Sequence, residues 1–187
     1  PKEKLRLLYM ELVPGGTLQE VIGRMGRGNY GAKEYLAQID ETLVRVGSAP
    51  PVSSILRRDL LELPWPLAVC QLGAQLADGL AYAHEKGVLH RDIKPANVLL
   101  SAEGAPKLAD FNISFNAAGR DERPSDTFGG SLAYMSPEQL YGDRKNVGPH
   151  SDVYAFGVIL YLLASGHLPY EETSFLKLSE AIQKGNY

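Results

Sequence analysis

Between positions 90 and 97 the chain reads His90-Arg91-Asp92-Ile93-Lys94-Pro95-Ala96-Asn97, which places two cations, a carboxylate and an amide within one short stretch. Asp110 follows Asn97 by thirteen positions. The residues between them form two apolar pieces, Val98-Leu99-Leu100 and Lys107-Leu108-Ala109, separated by Glu103-Gly104-Ala105-Pro106. That pattern reads as a small hairpin. An amide and a carboxylate at the two ends of one hairpin can share a hard cation, since Mg²⁺ takes oxygen ligands together with substrate phosphates. Asp92 is then left as a second carboxylate, able to orient a hydroxyl and accept its proton. Lys94 is placed to neutralise phosphate charge. Any one of these residues alone would more often be a solvated loop charge; it is their concentration that signals chemistry.

These residues need elements to hold them. The clearest helix runs from about Pro66 to Lys86: proline suits a first turn, Leu72, Leu76 and Leu80 line one face, and Gly87 suits the position past the end. His84 and Lys86 lie in its last turn, where positive charge meets the helix dipole. The run Val153 to Ala164 is the longest apolar stretch, too short to span a bilayer and suited to a buried helix. Leu5 to Val13 is short, apolar and β-compatible, and Pro14-Gly15-Gly16 stops it. Thr17 with Glu20 forms a capping box opening a short helix. From about Arg24 to Pro64 the pattern is weaker. Leu36, Ile39, Leu43 and Val46 recur at helical spacing, Ala49-Pro50-Pro51 marks a break, and Ser53 or Ser54 caps a further short helix to Leu63.

The chain has 187 residues and a formal charge of −3, with 44% hydrophobic and 22% charged residues. This is the balance of a soluble globular protein, with enough chain for a sizeable core. Slight acidity argues against a nucleic-acid binder. A single cysteine, Cys70, excludes an internal disulfide and a cysteine-cluster zinc site and fits a reducing compartment. There is no internal repeat.

The run His90-Arg91-Asp92-Ile93-Lys94-Pro95-Ala96-Asn97-Val98-Leu99-Leu100 resembles the eukaryotic-type serine/threonine protein kinases, and the downstream motifs follow in that family's order. Asp110-Phe111-Asn112 stands where the family has Asp-Phe-Gly, Ser136-Pro137-Glu138 where it has Ala-Pro-Glu. Ser151-Asp152-Val153-Tyr154-Ala155-Phe156-Gly157 is similar to the start of its central helix. The Tyr134 to Leu140 stretch resembles bacterial members in style.

The resemblance implies an α+β, protein-kinase-like fold, a mainly helical C-lobe with a hinge strand and small β-hairpins, truncated at both ends. Residues 1–16 would be the last N-lobe strand and hinge, and 17–187 the C-lobe with an atypical insertion at about 24–64. Asp92 would be the catalytic base, Lys94 would contact the transferred phosphoryl group, and Asn97 and Asp110 would hold Mg²⁺ (or Mn²⁺) on the ATP phosphates. Met10 would be the gatekeeper behind the adenine, Glu11 and Val13 would bind its edge through backbone groups, and Leu99 would lie beneath the ring. The lysine at position 94 follows the serine/threonine-kinase pattern. Asp152 would anchor the His90-Arg91 turn, and His90 and Phe111 would be buried. Arg91 would pair with a phosphate in the activation loop, at Ser125 or Thr127, while Ser131 matches the family's substrate-facing threonine. The implied partners are ATP and protein substrates with Ser/Thr hydroxyls, with dimerisation serving activation-loop autophosphorylation. No nucleic acid and no membrane contact is expected from this segment, and a cytoplasmic location is. Membrane tethering would come through other parts of the parent.

Gly26-Arg27-Gly28-Asn29-Tyr30-Gly31 matches G-x-G-x-x-G but neither follows a strand nor lies upstream of the hinge, so it reads as a linker. Asn112 in place of glycine is one departure from the family. Asparagine tolerates a positive φ, so activity is compatible with it. The other departure is that no glycine-rich loop or strand lysine precedes Pro1, so the chain alone is expected to be inactive and its parent active. The rival readings are a pseudokinase scaffold, an ATP-binding regulatory module, and a small-molecule kinase. Intact Asp92, Lys94, Asn97 and Asp110 argue against the pseudokinase, and the long activation segment with Ser136-Pro137-Glu138 favours a protein substrate.

Overall fold

The computed structural model describes residues 11–26, 30–111, 129–143, 145–172 and 174–184. The expectations for the strand up to Met10, for the Arg27–Asn29 part of the glycine-rich linker, and for Asn112, Ser125 and Thr127 fall outside the described residues. Among those described, seven α-helices and one two-stranded sheet follow in order: α1 Leu18–Met25, α2 Ala32–Arg45, α3 Ile55–Glu62, α4 Trp65–Glu85, β1 Val98–Leu100, β2 Pro106–Leu108, α5 Pro137–Leu140, α6 Pro149–Ser165 and α7 Phe175–Lys184.

Local chemistry sets the boundaries. Thr17 caps α1 through a reciprocal box with Glu20, its hydroxyl accepting from the Glu20 N–H at 3.2 Å and its own N–H donating to the Glu20 carboxylate at 3.1 Å. Ser54 caps α3 by accepting from the Arg57 N–H. Leu36, Ile39 and Leu43 of α2 are buried, but Val46 is not: the helix ends at Arg45, and Val46 lies beyond it, 59% exposed. The expected strand through Val13 is also not regular in its described part, residues 11–13.

One main core joins α1, α2, α3, α4, α6 and the hairpin, with Val21, Tyr35, Ile39, Leu43, Leu60, Val98, Leu100 and Ile159 fully buried. The 24–64 stretch, expected to be an insertion, supplies part of this core. Trp65 at the start of α4 donates its indole N–H to the Leu163 carbonyl near the end of α6 at 2.7 Å, holding the two long helices together. α6 is not enclosed on every side as its uniform apolarity suggested: Val153, Gly157, Tyr161 and Ala164 form an exposed stripe. A smaller cluster joins Leu140 of α5 to Leu178 and Ile182 of α7. No helix among the described residues is long and apolar enough to cross a membrane.

The hairpin is antiparallel, with Val98 opposite Leu108 and Leu100 opposite Pro106. Its turn needs Gly104, which adopts φ +89° against α2. A Cβ there would meet the Leu36 side chain at 2.9 Å and Tyr35 at 3.5 Å. Gly104→Ala therefore combines backbone strain with overpacking and is expected to destabilise the protein by about 1–3 kcal/mol, measured by chemical denaturation.

Candidate active site

The site begins where the chain leaves α4. Asp152, buried in the first turn of α6, accepts the His90 N–H on Oδ2 at 2.9 Å and the Arg91 N–H on Oδ1 at 2.7 Å. His84 of α4 shares Oδ2 at 2.8 Å. Arg91 adopts φ +66°, a conformation that non-glycine residues rarely take. It is gripped from both sides, because its carbonyl accepts from the Gln139 amide at 2.8 Å. Such strain persists only where surrounding contacts over-determine it, and it gathers at functional sites. The fully buried His90 ring reaches the Ala109 carbonyl at 2.9 Å and packs on Phe111 with ring centroids 4.6 Å apart.

The anchored turn delivers Asp92. Its Oδ2 receives Lys94 Nζ at 2.8 Å and the Asn97 amide nitrogen at 3.0 Å. The same Asn97 nitrogen also donates to the Asp92 carbonyl at 2.7 Å. Among the described residues these bonds leave Asp92 Oδ1 open and the Asn97 side-chain oxygen as its remaining ligand atom. Asn97 immediately precedes β1, and its carbonyl accepts the Ala109 N–H at 2.9 Å, extending the hairpin ladder by one rung. Asp110 follows directly, exposed and at φ +56°, the second non-glycine residue with positive φ among those described. Aspartate tolerates that region better than most residues. The hairpin thus places Asn97 and Asp110 at its two adjacent strand ends.

The segment before α1 closes the other side. The Gly15 N–H donates to the Leu100 carbonyl at 2.8 Å, and the Leu100 N–H to the Gly16 carbonyl at 2.9 Å. A Cβ at Gly15 would overlap the Leu100 carbonyl oxygen, so only glycine permits this approach. Thr17 bridges to Leu99. Val98 and Leu100 are buried while Leu99, on the opposite face, is half-exposed. Exposed Glu11 meets Lys107 of β2 at 3.4 Å. Glu11 thus reaches β2 through Lys107 while Thr17 pairs with Leu99; Met10 and the side chain of Ser131 lie outside what the structure describes.

A third wall comes from α5. Ser136 and Gln139 form a capping box there, which orients Gln139 toward Arg91. Glu138 accepts from the Ser151 hydroxyl at the start of α6 and lies 3.4 Å from His150. Burial works to raise the Glu138 carboxyl, but hydrogen bonds from Ser151 and Ser136, its backbone and His150 together hold it below the ordinary range. A carboxyl that titrates lower when folded contributes stability that is complete above its unfolded range and is lost as pH falls through its folded value. Glu138→Gln is therefore expected to lower stability near neutrality and to flatten its fall toward acid pH, read from denaturation midpoints between about pH 3 and 7.

The oxygen donors of Asn97 and Asp110 suit a hard divalent cation that takes its remaining ligands from phosphates and water. No group of three or more His, Cys, Asp or Glu able to hold a metal alone occurs among the described residues. The structure joins Asp92, Lys94 and Asn97 directly and places Asp110 one residue beyond the Ala109–Asn97 backbone bond. Sequence reasoning missed Gln139, whose signal was the S-x-x-Q capping box, and the contact of His84 with Asp152, which a dipole argument could not reveal.

Residues 66–185 match the protein kinase domain family model. The chain is 34% identical over 174 residues to the serine/threonine-protein kinase PknL of Mycobacterium tuberculosis, covering 92% of this chain and 34% of that protein. It is 41% identical over 119 residues to CBL-interacting protein kinase 21 of Oryza sativa subsp. japonica, covering 62% of this chain and 22% of the relative. With CBL-interacting serine/threonine-protein kinase 1 of Arabidopsis thaliana it shares 42% over 113 residues, 60% of this chain and 25% of that protein.

Proposed function

The chain belongs to the protein kinase family, and on that premise we propose that the protein carrying it is a serine/threonine protein kinase, transferring the ATP γ-phosphoryl group to hydroxyls of protein substrates. The observation that supports this most is Asp92, held on one oxygen by Lys94 and Asn97 at 2.8 and 3.0 Å, with its other oxygen open among the described residues. That oxygen orients the substrate hydroxyl and takes its proton. Lys94, on the same carboxylate, balances charge on the group in transfer. Asn97 and Asp110 would hold Mg²⁺, with Mn²⁺ as a substitute. When bound, the ion offsets the negative charge of the ATP phosphates. Glu11, Val13 and Leu99, with Met10, would receive the adenine along the edge where the Gly15–Thr17 segment pairs with β1.

In this reading residues 1–16 are the last N-lobe strand and hinge, and 17–187 the C-lobe with an added segment at about 24–64. Arg91 orders a phosphorylated activation segment through Ser125 or Thr127, Ser131 faces the substrate, and dimerisation supplies phosphorylation in trans. The domain works in the cytoplasm. Incubating the full-length protein with ATP labelled in the γ-phosphate, a divalent cation and a general protein substrate is expected to label serine or threonine. Nucleotide bound without transfer would overturn the enzymatic reading. Mass spectrometry of active protein with no phosphate between residues 112 and 131 would overturn the regulatory part.

A further inference from the structure

The segment between α1 and α4 lies outside the stretch that matches the kinase family model, which begins at residue 66. Yet it grips the turn of the hairpin that carries Asn97 and Asp110 at its base. Arg57 of α3, with a side chain only 13% exposed, donates Nη1 to the Ala102 carbonyl at 2.8 Å and Nη2 to both carboxylate oxygens of Asp40 at 2.7 Å. Asp40 of α2 thus holds the guanidinium in place while its other nitrogen holds the turn. Such paired, charge-assisted contacts fix geometry better than a single neutral bond. Tyr35 of α2, fully buried, donates its hydroxyl to the Gly104 carbonyl at 2.9 Å. Burial pushes that phenol far above its ordinary range, so it stays a donor at every physiological pH. The Ala102 and Gly104 carbonyls, in a turn only five residues long, are both taken up by this segment.

We propose that α2 and α3 form a positioning brace, in which Arg57, set by Asp40, and Tyr35 fix the β1–β2 turn and thereby the separation of Asn97 and Asp110 at the open end of the hairpin. The proposal rests on the kinase reading, because it gives those two residues a metal–nucleotide to hold. The physical argument is leverage. β1 and β2 are three residues each, so a turn that shifts or twists carries its error directly to the strand ends. A pair so short is marginal without support from packing.

The test uses the full-length protein and reads the Mg²⁺ concentration that gives half-maximal binding of a fluorescent ATP derivative, together with amide exchange at residues 101–105 without nucleotide. Arg57→Ala is expected to raise the half-saturating Mg²⁺ about tenfold, the low end of what outer support contributes at metal sites, and to speed amide exchange in the turn. Tyr35→Phe, which loses only a hydroxyl, should move both readings in the same direction and decides the matter if Arg57→Ala does not fold. Arg58→Ala, removing an exposed neighbour paired with Asp59, should move neither. A folded Arg57→Ala or Tyr35→Phe protein with faster exchange but unchanged Mg²⁺ dependence would make the brace merely structural and overturn the proposal. A wild-type protein that binds the derivative with no Mg²⁺ dependence would instead overturn the kinase reading, and the brace with it.

Discussion

Asp92→Asn in the full-length protein is expected to lower phosphoryl transfer by at least about 10²-fold, the low end of what a positioned general base contributes. The substitution is nearly isosteric, so the effect follows from charge and proton affinity alone. In the native arrangement one carboxylate oxygen already receives Lys94 at 2.8 Å and Asn97 at 3.0 Å, which restrains its rotation and leaves the other oxygen without a partner among the described residues. An amide in that place accepts no proton. It also presents Lys94 with a neutral partner, and in one of its two orientations it sets an NH₂ group against the donors of Lys94 and Asn97. Nucleotide affinity should change little, because Asp92 is not among the residues assigned to the metal or the adenine. Loss confined to the maximal rate is the mark of an interaction made in the transition state. Near-normal turnover would refute the assignment, and an equal loss of nucleotide binding would show that Asp92 shapes the site without acting as base.

Much of this site was legible because its chemistry is local in sequence. Asp92, Lys94 and Asn97 lie within six residues, and the hairpin that brings Asp110 to them is announced by two apolar runs around Glu103-Gly104-Ala105-Pro106. Helix boundaries were equally readable where a side chain caps them, at Thr17 and Ser54. Contacts between residues distant in sequence were not readable from spacing. His84 meets Asp152 across 68 positions and Gln139 meets Arg91 across 48, so neither leaves a periodic trace. Val46 shows the limit of periodicity itself: it keeps the apolar phase of α2 yet lies past the end of the helix, 59% exposed. The α2–α3 segment was hardest to interpret because its polar contacts, Tyr35 to Gly104 and Arg57 to Ala102, end on backbone carbonyls, which any residue type supplies. A sequence shows the donor in such a bond and hides the acceptor.

Asp152→Ala should be the most destabilising single change at the site, by about 3–5 kcal/mol, because it leaves several buried donors without an acceptor. Three donors converge on this carboxylate: the His90 N–H, the Arg91 N–H and the His84 ring. Alanine restores none of them, and each buried donor left without a partner costs about 1–3 kcal/mol. The loss is compounded by Arg91, whose left-handed backbone costs on the order of 1–3 kcal/mol and is sustained by the very bond that disappears. With Gln139 alone holding the carbonyl side, the turn can relax toward an ordinary conformation, and Asp92, the next residue, turns with it. Activity should therefore fall along with stability, although Asp152 touches no reacting atom. Two companion variants separate these contributions. Gln139→Ala removes the carbonyl-side bond together with the bonds from Ser136 that cap α5, and should cost about 1–3 kcal/mol at roughly 0.5–1.5 kcal/mol per hydrogen bond. His84→Ala keeps both backbone bonds to Asp152, so Arg91 keeps its strained conformation and most activity should survive. If chemical denaturation shows Asp152→Ala no more costly than Gln139→Ala, the strain at Arg91 is borne by the chain between α4 and β1 and not by α6.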